Sequence, residues 1–254
     1  MIGLILGTSE GKKIVSLLNE FTDDIFISTA THYGGQLLEK YKYKKLNTRP
    51  LDLEGIIKVI EDNEINILVD ASHPYALEVT ENAMEACRVC NIEYIRYERP
   101  SVSSKYKEYE KLIEVEEYED IYEKLKNVEG NILNTTGSRN LKKILNLNLT
   151  NRIIHRVLPS LKVMNECFKA GIDIEDVIAI KGPISYELNC SFIREYNAKV
   201  IMMKDSGVQG GTEEKLKAAV DLGIYAVIIK RKTIKYDNVF CNEEDIVFHV
   251  KENI

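Results

Sequence analysis

Two glycine–hydroxyl turns carry the most legible chemistry in the sequence. Gly7, Thr8, Ser9 and Gly11 stand in "GTSEG", directly after the apolar run "MIGLIL". Thr136, Gly137 and Ser138 stand in "TTGSR", after "GNILN". At a strand–helix junction such a turn offers backbone N–H groups and the positive end of a helix to a phosphate or carboxylate. Neither turn has G-x-G-x-x-G spacing. The first also carries Glu10, whose charge a phosphate would repel.

The other strand ends are polar too. Thr29 ends "DIFIST"; "DASHPYA" runs from Asp70 to Ala76; Arg96 and Arg99 fall in "RYERP". Further on come Arg139, Arg156, Lys181 in "KGPIS", and Lys204, Ser206, Gly211 and Thr212 in "KDSGVQGGT". Singly, each has a structural explanation: glycines fit tight turns, prolines stop strands, and Thr or Ser caps helices. Together they put polar residues at nearly every strand end, and ligands of open α/β sheets bind beyond those ends. A NAD site usually places Asp or Glu after the second strand. Here there is Thr29, and the second half offers Arg156, which could meet a 2′-phosphate, so NADPH is favoured over NADH. His73, in a turn with Ser72, Pro74 and Tyr75, differs from His32, His155 and His249, which read as incidental. Cys87 and Cys90 share a helix and have no partners at zinc spacing, so no metal site is expected.

These residues need a frame to hold them. Nine short Ile- and Val-rich runs, from "IGLIL" to "IYAVIIK", read as buried parallel strands. Amphipathic stretches such as "GKKIVSLLNEF" and "TEEKLKAAVDLG" lie between them. This alternation implies an α/β protein of two doubly wound, Rossmann-like parallel-sheet domains facing a shared cleft. The expected domains are residues 1–110 and 111–254, with the boundary within 101–130. The charged run there, "SSKYKEYEKLIEVEEYEDIYEKLKNVEG", reads as a solvated helix with "KLIEV" its only strand candidate. A net charge of −6 over 254 residues argues against nucleic acid. The five cysteines form no framework and suit a reducing cytoplasm. No apolar run suggests a membrane span or signal peptide. Oligomeric state is left open.

In order along the chain, "LILGTSEG", "VDASHPYA", "YIRYERP", "TTGSRNL", "RVLPS", "KGPIS" and "MKDSGVQGGTEEKLKAA" resemble the precorrin-6A reductase family of cobalamin biosynthesis, from Ile5 to about Lys230. The resemblance implies two Rossmann-like domains that exchange a strand. It implies reduction of a ring double bond in a tetrapyrrole, metal-free or cobalt-bearing, by NADPH or NADH: hydride to one carbon, a proton to its neighbour. The substrate's carboxylates would fall to Arg96, Arg99, Arg139, Lys181 and Lys204, with Ser206, Gly211 and Thr212. The coenzyme would lie on Gly7, Thr8, Ser9, Gly11 and Thr29, or on Thr136, Gly137, Ser138 and Arg156. Glu10 would turn outward at the helix start or meet a pyrrole N–H. Proton delivery would fall to His73, oriented by Asp70, with Ser72 and Tyr75 beside it. A dinucleotide-binding sensor and a two-domain tetrapyrrole lyase or synthase are the competing functions.

Overall fold

The structure is a computed structural model that describes every residue except Thr8 and Ser9. The chain divides into two units: Met1–Arg99 with Thr233–Ile254, and Pro100–Lys232.

The first unit contains β1 (Ile2–Leu6), α1 (Gly11–Leu18), β2 (Ile25–Thr29), α2 (His32–Gln36), β3 (Lys45–Asn47), α3 (Leu53–Asp62), β4 (Ile67–Ala71), α4 (Leu77–Cys90) and β5 (Glu93–Tyr97). The second holds β6 (Leu112–Val115), α5 (Ile121–Leu125), β7 (Asn131–Asn134), α6 (Leu141–Leu145), β8 (Ile153–Val157), α7 (Leu161–Lys169), β9 (Val177–Ala179), α8 (Tyr186–Glu195), β10 (Ala198–Lys204), α9 (Thr212–Asp221) and β11 (Tyr225–Ile229). The chain then returns to the first unit as β12 (Val239–Phe240) and α10 (Glu243–Glu252).

Each unit has a six-stranded sheet, ordered β12-β5-β4-β1-β2-β3 and β6-β11-β10-β7-β8-β9, and the pairings are parallel. Both follow the doubly wound 3-2-1-4-5-6 pattern. The sixth place in each is filled from elsewhere along the chain. β6 follows β5 in sequence but pairs with β11, while β12 follows β11 but pairs with β5.

The inner strands β1, β2 and β4 are buried along their whole length, as their unbroken apolar runs require. Ile14, Val15 and Leu18 of α1 pack in one core with Ile246 and Val250 of α10. A fully buried aliphatic side chain of this size stabilises by about 1.5–3 kcal/mol. The helix starts are set locally: Asp52, Ser160 and Ser185 accept the backbone N–H of Gly55, Val163 and Leu188.

Three features depart from the sequence reading. Residues 233–254, expected in the second unit, complete the first. Arg96 N–H donates to Asn238 O at 2.8 Å, and His249 Nε2 lies 2.7 Å from Glu93 Oε1. The short strands β3 and β12 carry too few apolar residues to stand out. The charged run is not one helix but two 3-10 turns (Ser103–Tyr106 and Tyr118–Asp120), strand β6 and the short α5. Within it Ile113 and Val115 pair with Val227 and Ile229 of β11, so sheet pairing overrides a locally charged composition.

Candidate functional site

In the first unit the loops after β1 and β4 touch. Gly7 N–H donates to Ala71 O at 3.2 Å. A Cβ on Gly7 would lie 3.1 Å from the backbone nitrogen of His73, so a side chain there would push the loops apart. This brings Gly7 against Ser72 and His73, and Thr29 ends the neighbouring strand. Thr8 and Ser9 lie outside the described residues. The Glu10 side chain makes no capping hydrogen bond at the start of α1, where the Lys13 and Ile14 N–H groups donate to Glu10 O.

Glu10 does neither thing expected of it. It is buried and paired with Arg99: Arg99 Nη2 donates to Glu10 Oε2 at 2.6 Å, and Arg99 Nε meets Oε1. The guanidinium cancels the charge that would repel a phosphate at the start of α1. Arg99, expected at the substrate, is thereby occupied inside the unit.

Arg96 is occupied in the same way. Its Nη1 lies 2.9 Å from Asp70 Oδ2, with both side chains at most 1% exposed, and its Nε donates to Glu98 at 3.0 Å. Burial works against this guanidinium, but Asp70 and then Glu98 more than offset it, so its proton is held more firmly than in water. Asp70 also accepts from Ser72 N–H, Thr80 Oγ1 and Tyr94 OH, each at 2.8 Å. Burial first, and Asp70 second, push the Tyr94 phenol well above its usual range. Tyr236, from the returning segment, stacks on Tyr94 and lies over Arg96.

Asp70 therefore anchors the turn bearing His73 but does not orient the imidazole. His73 Nδ1 instead accepts the Tyr75 N–H at 3.3 Å. Thr80 and Tyr94 were missed in the sequence because a lone Thr or Tyr on an amphipathic element reads as ordinary packing.

In the second unit the turn after β7 is shaped by a relay. Asn134 Oδ1 accepts both the N–H and the hydroxyl of Thr136, so its amide NH2 is the group that donates to His155 Nδ1, at 3.0 Å. His155 is thus a buttress rather than incidental. Gly137 follows at φ +85°, with open space where a Cβ would stand.

Burial pushes the His155 imidazole down to about 4, against a smaller upward pull from Asp176. A pKa depressed below the unfolded value gives stability that is present above about pH 6.5 and is lost as pH falls through about 4. The full loss is on the order of 3 kcal/mol. Denaturant unfolding from pH 7 to 4 should show this slope, and His155→Gln should flatten it; an unchanged slope would remove His155 as its source.

The same unit concentrates cations at its strand ends. Arg156, next to last in β8, donates to Asn189 Oδ1 at 3.0 Å; burial lowers its pKa to about 10. Lys204 ends β10 and is lowered to about 8, by burial and then by the nearby Arg139 charge. Lys215, in the first turn of α9, is 4% exposed and lowered to about 7, by burial and then by Arg156. The β10–α9 loop is braced as Ser206 N–H donates to Thr212 Oγ1 at 3.0 Å. A Cβ on Gly211 would lie 3.0 Å from Pro183, which ties this loop to "KGPIS". Arg139 and Lys181 are exposed.

Lys215 was not among the sequence candidates. The available signal was its position: Thr212, Lys215, Leu216 and Ala219 form one buried helical stripe, and a lysine there needs a reason. Among the described residues no group of His, Cys, Asp or Glu could hold a metal ion, and no helix is long and apolar enough to cross a membrane.

Two doubly wound parallel sheets, the second with cations at its strand ends, define a Rossmann-like α/β protein. The family model described as precorrin-6x reductase CbiJ/CobK matches residues 1–251, and the chain belongs to that family. It is 32% identical to the cobalt-precorrin-6A reductase of Methanocaldococcus jannaschii, covering 97% of this chain and 96% of the relative. It is 31% identical to the enzyme of that name from Methanothermobacter thermautotrophicus, over 97% and 82% of the two chains. The solved structure of CobK precorrin-6A reductase superposes with a TM-score of 0.79 at 16% identity, covering 99% of this chain and 96% of that one, a likeness of fold.

Proposed function

We propose that the protein reduces a ring double bond of cobalt-precorrin-6A in the cytoplasm, using hydride from a nicotinamide coenzyme, NADPH in preference to NADH. The observation that carries the substrate assignment is the cation group of the second unit. Lys215 is buried and Arg156 and Lys204 are half-buried at the strand-end edge of one sheet, a concentration of positive charge that suits the carboxylates of a polyanion. Arg139 and Lys181 extend the group, with Ser206, Gly211 and Thr212 in the adjoining loop. The cobalt form is favoured because relatives matching nearly the whole chain bear that name.

The first unit suits the coenzyme. Its donor set is Gly7, Gly11 and the start of α1, with the Glu10 charge neutralised; Thr8 and Ser9 join it on sequence grounds. At the end of β2, Thr29 Oγ1 donates to Thr31 O, and the residues that follow the strand, Ala30 to His32, include no acid for a ribose. A bound nicotinamide would supply the hydride. Ser72, His73 and Tyr75 would help to hold it.

The test mixes the purified protein with cobalt-precorrin-6A and either coenzyme and follows the reduced-nicotinamide band near ~340 nm. NADPH should be oxidised only when the tetrapyrrole is present, and the product should gain two hydrogens. Coenzyme binding without turnover would make the protein a sensor. Conversion of the ring without coenzyme would make it a lyase. Either result ends the proposal.

A further inference from the structure

We propose that Lys215 is the general acid of the reduction, giving its proton to the ring carbon next to the one that takes hydride. The inference rests on the reading of the second unit as the substrate's. A bound reduced nicotinamide would supply hydride with its electron pair to one carbon of the double bond and would be left in its oxidised form. The π pair forms the second C–H bond with a proton from Lys215 Nζ. Lys215 is left as a neutral amine and is recharged from solvent after product release.

Three observations single out this lysine. It is buried, in one helical stripe with Thr212, Leu216 and Ala219. Its position in the first turn of α9, after the Gly211–Thr212 turn, puts it at the strand-end edge where Arg156 and Lys204 stand. And the charged groups that act on it are mixed: Arg156 on β8 and Lys204 on β10 push its proton off, while Glu214 on α9 and Asp205 after β10 hold it.

Burial first, and that balance second, leave it poised near neutrality, the condition a general acid needs. Arrival of the substrate's carboxylates beside Arg156 and Lys204 offsets their repulsion, so Lys215 is charged when the ring is bound. Once it has given up the proton, the same two cations favour the neutral amine. Arg156 and Lys204 hold their protons more firmly and serve as anchors.

An anchoring role and a proton-donating role separate under arginine substitution. Lys215→Arg keeps the cation, and arginine does not release a proton near neutral pH. Lys215→Arg and Lys215→Gln should both lower kcat by about 10²–10³-fold. Substrate affinity, read from tetrapyrrole absorbance without coenzyme, should stay within several-fold in Lys215→Arg. The wild-type rate should fall on the alkaline side as Lys215 loses its proton, and Lys215→Arg should lack that limb.

Lys215→Met guards against a folding artefact: removing a buried cation from among cations should leave the melting temperature equal or higher. A Lys215→Arg enzyme with near wild-type kcat, or an unchanged alkaline limb, overturns the proposal while leaving the substrate reading intact. A wild-type protein that binds no tetrapyrrole overturns both.

Discussion

Asp70→Ala is expected to destabilise the first unit by about 3–5 kcal/mol, because it leaves the Arg96 guanidinium buried without its main counter-charge. The loss should appear in thermal or urea unfolding as a melting temperature lower by on the order of 10 °C. The prediction comes from the geometry at Asp70, which accepts from Ser72, Thr80 and Tyr94 while pairing with Arg96. Thr80→Val and Tyr94→Phe each remove one of these bonds and should cost only about 1 kcal/mol. Were Asp70 an orienting partner of His73 instead, Asp70→Ala would lower turnover and leave the unfolding curve nearly in place. A loss of less than about 1 kcal/mol would show that the pair with Arg96 is not what holds this region.

Arg99→Ala should behave similarly, at about 3–5 kcal/mol, because it strands the buried Glu10 carboxylate. Glu10→Gln strands the guanidinium in turn. The double variant Glu10→Gln/Arg99→Met removes both charges and should be more stable than either single change, by about 2 kcal/mol. Coenzyme affinity supplies a second reading. Without Arg99 the Glu10 charge stands at the start of α1, and a bound pyrophosphate would meet it there. Arg99→Ala should therefore weaken NADPH binding more than tetrapyrrole binding. Weakened tetrapyrrole binding with unchanged stability would return Arg99 to the substrate.

Much of the frame was legible because buried parallel strands announce themselves. Runs such as "INILVDA" and "AKVIMMK" are apolar on both faces and end in turn residues, which gives strand and turn together. β3 and β12 lacked that signal: Lys45–Asn47 and Val239–Phe240 are short edge pieces whose pairing depends on strands far away in sequence. For the same reason no local pattern placed residues 233–254 in the first unit.

The strand ends were legible as a set of polar residues, but not the sorting of that set. Arginines at Arg96 and Arg99 look in sequence like Arg139 and Arg156. Only three dimensions show that the first two meet Asp70 and Glu10 inside the fold. Lys215 shows the converse: a charge on a buried helical stripe was visible in "TEEKLKAA" but carried no meaning until Arg156 and Lys204 were seen beside it.

The exchanged sixth strands bear on how the protein is made. Arg96 is translated 143 residues before Val239, its partner in the register of β5 and β12. At 5–20 residues per second, roughly 7–30 s pass between the two. For that interval the nascent first unit presents β5 as an open sheet edge, the kind of surface on which chains associate wrongly. The whole second unit emerges meanwhile, and its own sixth strand, β6, is already waiting. The yield of native protein should therefore respond to elongation speed over residues 100–232, and to chaperones that cover a strand edge, more than to the intrinsic stability of either sheet.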